Sequence, residues 1–184
     1  MNHKGTQTIT TDRLTLRRFT VEDAPAMYRN WASDDAVTRW LTWPTHPNPE
    51  TTASLLEQWC GHYGEEDYYN WVIKFEGEPI GNISVVQYTQ RSAWCALGYC
   101  MGSRWWNKGI MTEAVCAVRD FLFDEVGFHR IVIEHAIENP GSGRVASKAG
   151  FTLEGVQRGK FYSSREGRFL DLALYGCLAE DRER

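Results

Sequence analysis

The sequence predicts an α/β fold, a mixed sheet with helices on both faces. Two observations carry this expectation. Segments that alternate apolar and polar residues are interleaved with segments whose apolar residues recur every three or four positions. The 184 residues, 42% hydrophobic and 24% charged, suit one domain with a proper core, spanning the whole chain.

Arg13 to Phe19 alternates as a half-buried strand does. Thr20-Val-Glu-Asp23 has the spacing of a capping box, with an acid three residues after the Thr, and opens a helix running to about Trp31. Thr42 to Pro49 holds three prolines, which forces a loop. Ala53, Leu55, Leu56 and Trp59 return at helical spacing in a helix from Glu50 to about Tyr63. Tyr69 to Phe75, Pro79 to Tyr88 and Ala93 to Cys100 are rich in β-branched and aromatic residues and predict an antiparallel meander. Met111, Ala114, Val115, Val118, Phe121 and Leu122 form the apolar stripe of a third long helix, closed by Gly127. Arg130 to Ile137 reads as a strand, and Asn139 starts a short helix that Ala149 and Gly150 end. Phe151 to Phe161 and Arg168 to Leu178 make a closing hairpin. The expected order is β-α-α-β-β-β-α-β-α-β-β, with seven strands.

Composition excludes several function classes. The longest mostly apolar stretch, Ala114 to Phe123, is interrupted by Arg119 and Asp120 and cannot span a bilayer. Nothing near Met1 reads as a secretory signal, so a cytoplasmic location and no membrane partner are expected. The five cysteines are scattered, with no C-x-x-C pair, against both a disulfide framework and a metal cluster. A net charge of -4 without a basic run gives no footprint for nucleic acid.

One segment invites chemistry. Ser103-Arg-Trp-Trp-Asn-Lys-Gly-Ile-Met-Thr-Glu-Ala114 leads from the fourth strand into a helix start, where unpaired N–H groups and the positive end of the helix dipole favour an anion. Gly109 permits close backbone approach, Lys108 adds charge, and Thr112 adds a hydroxyl, so a pyrophosphate is a suitable guest. A plain turn before an amphipathic helix explains the same residues. A second piece, Asn139-Pro-Gly-Ser-Gly-Arg-Val-Ala-Ser-Lys-Ala-Gly-Phe151, follows downstream with Leu153-Glu-Gly155.

Together these two pieces resemble the GNAT superfamily of acyl-CoA-dependent N-acetyltransferases. The branch that includes ribosomal-protein N-terminal acetyltransferases is also similar at Thr11-Asp-Arg-Leu-Thr-Leu-Arg-Arg18, Trp43-Pro-Thr-His46, Phe128-His-Arg-Ile131 and Asp171. Of the family's strict pyrophosphate loop only Gly109 matches. The resemblance implies the GNAT fold, a mixed, mostly antiparallel seven-stranded sheet splayed between the fourth and fifth strands. It further implies acetyl-CoA as cosubstrate, no metal, and transfer to a primary amine by direct attack in a ternary complex. The cofactor residues it implies are Tyr99, Cys100 and Met101 on the fourth strand, Trp106, Asn107, Lys108, Gly109, Ile110, Met111 and Thr112 around the loop, and Asn139 with Ser142. Ala146 stands where many members carry a tyrosine acid, so Ser142 is assigned as the proton donor to the departing thiolate; a helix-start hydroxyl that satisfies only backbone is the plain alternative.

Glu138, Glu134 and Glu113 are candidate bases, of which Glu138 is the assigned one and Glu113 a first-turn structural acid. His135 is expected to be a packed residue, and Asp171 to need a partner, either a structural hydrogen bond, which is favoured, or the acceptor amine. Trp43, His46, Trp71 and Tyr162 are the expected acceptor-site residues, with core packing as the alternative for the aromatics. The acceptor is left open between a peptide N-terminus and a small molecule such as a polyamine, amino acid, amino sugar or aminoglycoside. A non-catalytic acyl-CoA sensor and a homodimer also stay open.

Overall fold

Eight strands form one sheet in the order β1-β2-β3-β4-β5-β6-β8-β7 in the computed structural model, which describes residues 1–183. The strands are β1 (Ile9–Thr10), β2 (Leu14–Arg17), β3 (Asn70–Phe75), β4 (Glu78–Thr89), β5 (Trp94–Met101), β6 (Arg130–Ala136), β7 (Thr152–Ser163) and β8 (Arg168–Leu178). The seven expected strands are all present. The eighth is β1, a two-residue strand antiparallel to β2 that is too short to show a period. The helices are α1 (Ala24–Met27), α2 (Asp35–Thr38), α3 (Pro49–Gly61), α4 (Ile110–Phe121) and α5 (Pro140–Lys148). All strand pairs given a register are antiparallel except β5 with β6. Two parallel strands cannot be joined by a tight turn, and α4 lies between them in sequence as the crossover.

The chain divides into two compact units. One comprises His3–Val85 and Tyr99–Ile110. Its core packs Phe19, Met27, Trp31, Val37, Leu56, Val72 and Cys100, with Trp43, Trp59 and Tyr63 against them. The capping box forms as the sequence implies: the Thr20 N–H donates to Asp23 Oδ2 at 2.9 Å. The single expected helix beyond it is instead a 3₁₀ turn (Val21–Asp23), α1, and a π turn (Tyr28–Ala32). α2 was not expected; Asp34 caps it by accepting the Ala36 N–H at 2.9 Å. α3 begins at Pro49 behind Asn48, whose Oδ1 accepts the Thr51 N–H.

The other unit comprises Val86–Gly98 and the chain from Met111 onward, with Met1–Asn2. α4 buries Met111, Ala114, Val115 and Val118 of the predicted stripe, leaves Phe121 half-buried, and passes into a π turn (Leu122–Val126) that buries Leu122 and that Gly127 closes at φ 85°. β6 pairs with β5 on one side, from Trp94↔Arg130 to Leu97↔Ile133, and with β8 on the other, from Arg130↔Leu178 to Ala136↔Leu172.

Candidate functional site

β5 ends in Tyr99, Cys100 and Met101, and the chain then makes a 3₁₀ turn (Ser103–Trp105) before the loop that enters α4. Two hydrogen bonds fix this approach. Ser103 Oγ donates to Asp34 Oδ2 at 2.6 Å, and Trp106 Nε1 donates to the Met101 carbonyl at 2.7 Å. The Trp106 ring stays 41% exposed. Asn107 and Gly109 both take left-handed backbone, at φ 61° and 73°, on either side of Lys108. An asparagine and a glycine are the residues that tolerate this conformation best. The turn leaves Asn107, Lys108 and Gly109 exposed while Ile110 and Met111 are buried. The helix start is thereby presented to solvent with apolar anchors behind it, and its first N–H groups have no intrahelical partner. Thr112 and Glu113 follow in the first turn of α4. Arg13 Nη1 donates to the Lys108 carbonyl at 3.1 Å.

Cys100 is no nucleophile. Its thiol donates to Asn82 Oδ1 at 2.9 Å, and burial pushes it up to about 12, opposed by the hydrogen bond to Asn82.

In the other unit, Asn139 stands at the N-cap of α5 with φ -103° and makes no side-chain cap bond, and Pro140 is the first helical residue. Backbone accounts for the turn: the Asn139 N–H donates to the Ala136 carbonyl at 2.8 Å and the Ser142 N–H to the Asn139 carbonyl at 3.2 Å. Gly143 and Ala146 form the buried side of α5. A Cβ at Gly143 would lie 2.9 Å from His135 Nε2 and 3.2 Å from the Tyr175 hydroxyl, so the helix seats on those two rings. His135 stacks on Tyr175 at 5.5 Å, and its Nδ1 contacts the Ala136 carbonyl at 2.8 Å, which makes Nδ1 the protonated nitrogen. The packed role expected of His135 is the one observed.

The carboxylates near α5 are paired. Glu138, the assigned base, faces both terminal nitrogens of Arg168 at 3.2 Å. Glu134 accepts from Gln157 at 3.2 Å and Lys160 at 3.3 Å. Asp171 Oδ1 accepts the Gly159 N–H at 2.7 Å beside the irregularity between Gln157 and Phe161, a structural partner of the kind the sequence favours.

The four expected acceptor-site residues fare differently. Trp71 is fully buried, stacked on Tyr69, and donates its indole N–H to the Gln7 carbonyl at 2.6 Å. It is a core residue, and the acceptor role is corrected to packing. His46 is 6% exposed; its Nδ1 lies 2.7 Å from Thr52 Oγ1 and its N–H donates to the Ala32 carbonyl. Burial holds its imidazole below the ordinary value, hence neutral. Trp43 packs beside it at 4.9 Å and is half-buried. Tyr162 is 52% exposed and meets Phe169 edge to face at 5.1 Å.

Sequence reasoning missed Arg13, Asp34 and Asn82 as partners of the loop and of β5. Arg13 and Lys108 are 95 residues apart, and no periodicity joins them.

An open mixed sheet with a glycine turn leading into a helix start is the scaffold expected of an acyl-group transferase of the GNAT type. The profile of the acetyltransferase (GNAT) domain matches residues 13–152, and the chain belongs to that family. It is similar to the ribosomal protein uS5-alanine N-acetyltransferase of Escherichia coli (strain K12), with 28% identity over 186 residues, covering 94% of this chain and 91% of that one. It is also similar to the N-acetyltransferase p20 of Bacillus licheniformis, with 26% identity over 177 residues and coverages of 95% and 98%. Among solved structures, RimL, the ribosomal L7/L12 α-N-protein acetyltransferase in complex with coenzyme A, shares the fold at TM-score 0.83 and 22% identity, covering 94% of this chain and 98% of that chain. No helix among the described residues is long and apolar enough to cross a membrane.

Proposed function

We propose that this chain transfers an acetyl group from acetyl-CoA to the free N-terminal amine of a protein or peptide. The observation that carries the cofactor half is the exposed Asn107–Gly109 turn, with two left-handed residues leading into the start of α4, where a helix's first N–H groups lack intrahelical partners. That is the chemistry a pyrophosphate needs. Trp106 and Lys108 flank it, and Tyr99 to Met101 offer strand backbone to the pantetheine amides; Thr112, Asn139 and Ser142 are assigned to the cofactor by the family resemblance. The profile match runs through residues of both compact units, which supports treating them as one acetyltransferase domain.

The amine nitrogen attacks the thioester carbonyl, the carbon–sulfur bond breaks, and the thiolate takes a proton. Ser142 is placed in the role of donor and Glu138 in that of base, acting directly or through water. An α-amine has a reference pKa of about 7.7 to 8.0, so a useful fraction is neutral without a strong base and positioning supplies much of the rate. The near full-length similarity to the uS5-alanine acetyltransferase favours a protein N-terminus over a small amine.

The experiment is thiol release from acetyl-CoA with an amine panel of peptides with free N-termini, polyamines, amino sugars and aminoglycosides. Peptide turnover at least tenfold above the others in kcat/KM supports the reading. Turnover confined to a small amine keeps the transferase and replaces the acceptor. Coenzyme A binding without turnover on any amine supports a sensor instead.

A further inference from the structure

Arg13 precedes β2, yet its guanidinium lies on the loop before α4. Nη1 donates to the Lys108 carbonyl at 3.1 Å, and Nη2 is the nearest atom, at 3.6 Å, to where a Cβ on Gly109 would stand. All four residues, Arg13, Asn107, Lys108 and Gly109, are exposed. Physical chemistry turns this contact into a statement about direction. In a planar trans peptide the C=O and the following N–H point to opposite sides. Holding the Lys108 oxygen therefore aims the Gly109 N–H away from the guanidinium. The Lys108–Gly109 peptide runs into left-handed Gly109, at φ 73°, and Asn107, one residue before Lys108, is left-handed too, at φ 61°. Glycine has more freedom to rotate out of that arrangement than any other residue. The arginine thus restrains a peptide that borders this glycine.

We propose that Arg13 is a positioning residue of the coenzyme A site. It acts through the Lys108 carbonyl, fixing the Gly109 N–H in the orientation that donates to the pyrophosphate, and does not itself touch the reacting atoms. This rests on the acetyl-CoA reading given above. The hydrogen bond is charge-assisted, and its loss is expected to weaken coenzyme A about tenfold.

The test titrates coenzyme A into wild type, Arg13→Met and Arg13→Lys, with the melting temperature of each protein measured without ligand. Arg13→Met keeps the length of the side chain and removes the donor; Arg13→Lys restores a charged donor. The expected result is a Kd raised about tenfold in Arg13→Met, a return to within about threefold of wild type in Arg13→Lys, and ligand-free melting temperatures within about 2 °C of one another. Arg13→Met binding within twofold of wild type overturns the proposal. So does a loss that lysine does not repair, or one matched by a drop in ligand-free melting temperature, which makes the residue merely structural. Wild type that fails to bind coenzyme A defeats the acetyl-CoA reading itself, an outcome visible before any variant is compared.

Discussion

Arg17 and Asp23 face each other through two parallel hydrogen bonds of 2.7 Å, Nη1 to Oδ2 and Nη2 to Oδ1, while Oδ2 also accepts the Thr20 N–H. One carboxylate therefore joins β2 to the first turn of the helical segment and closes its capping box. The carboxylate side chain is 7% exposed, so it exchanges little of this for water. Burial pushes the Asp23 carboxyl up, but the Arg17 and Thr20 hydrogen bonds outweigh it and hold the group below its ordinary 3.8.

A carboxylate with a lowered folded-state pKa stabilises the fold above its unfolded value, and that contribution disappears as pH falls through the folded value. Asp23→Asn is expected to cost about 2 to 3 kcal/mol at pH 7 by urea denaturation. The gap to wild type should narrow below pH 4, where wild type also carries a neutral side chain.

His46 gives the opposite group with the same direction of pH dependence. Burial lowers its folded pKa below the ordinary 6.5, so below 6.5 the unfolded chain binds the proton more readily and stability is lost as pH falls. His46→Asn places an amide near the position of Nδ1, keeps a partner for Thr52, and is expected to flatten the stability profile between pH 7 and the lowered folded value. Chemical denaturation across that range reads it.

Gly143 is required by space. A Cβ there would press on His135 Nε2 at 2.9 Å and on the Tyr175 hydroxyl, both rings stacked and unable to retreat cheaply. Gly143→Ala is expected to lower stability by about 1 to 3 kcal/mol, despite the better helix propensity of alanine, and a thermal melt checks it.

Gly109 is required by backbone instead, since its φ of 73° is unfavourable for any residue with a Cβ. Gly109→Ala is expected to cost about 1 kcal/mol of stability or more, and to weaken coenzyme A by distorting the loop. Isothermal titration reads the second effect.

The sequence announced most of the fold because its strongest signals are local. The Thr20 and Asp23 pair predicts its own capping box, the stripe from Met111 to Leu122 predicts the buried face of α4, and the prolines between Trp43 and Pro49 predict the loop. The breakdown of the first helix into 3₁₀, α and π turns was not legible, since it follows from how Trp31 and Met27 pack into the core rather than from spacing. β1 was missed because two residues carry no period. The glycine turn was read correctly as a turn, but the residues that hold it are remote: Arg13 lies 95 positions from Lys108 and Asp34 lies 69 from Ser103. Trp71 was read toward the acceptor because aromatic rings suit both pockets and cores. Its indole N–H committed to the Gln7 carbonyl decides for the core.

The measurement that bears most directly on the acetyltransferase reading is thiol release from acetyl-CoA with a peptide carrying a free N-terminal amine, run on wild type and Ser142→Ala. The account predicts peptide-dependent release by wild type, with kcat lowered on the order of a hundredfold in Ser142→Ala, because a proton donor acts in the transition state. Release that does not depend on any amine, or none at all from a protein that binds coenzyme A, would contradict it.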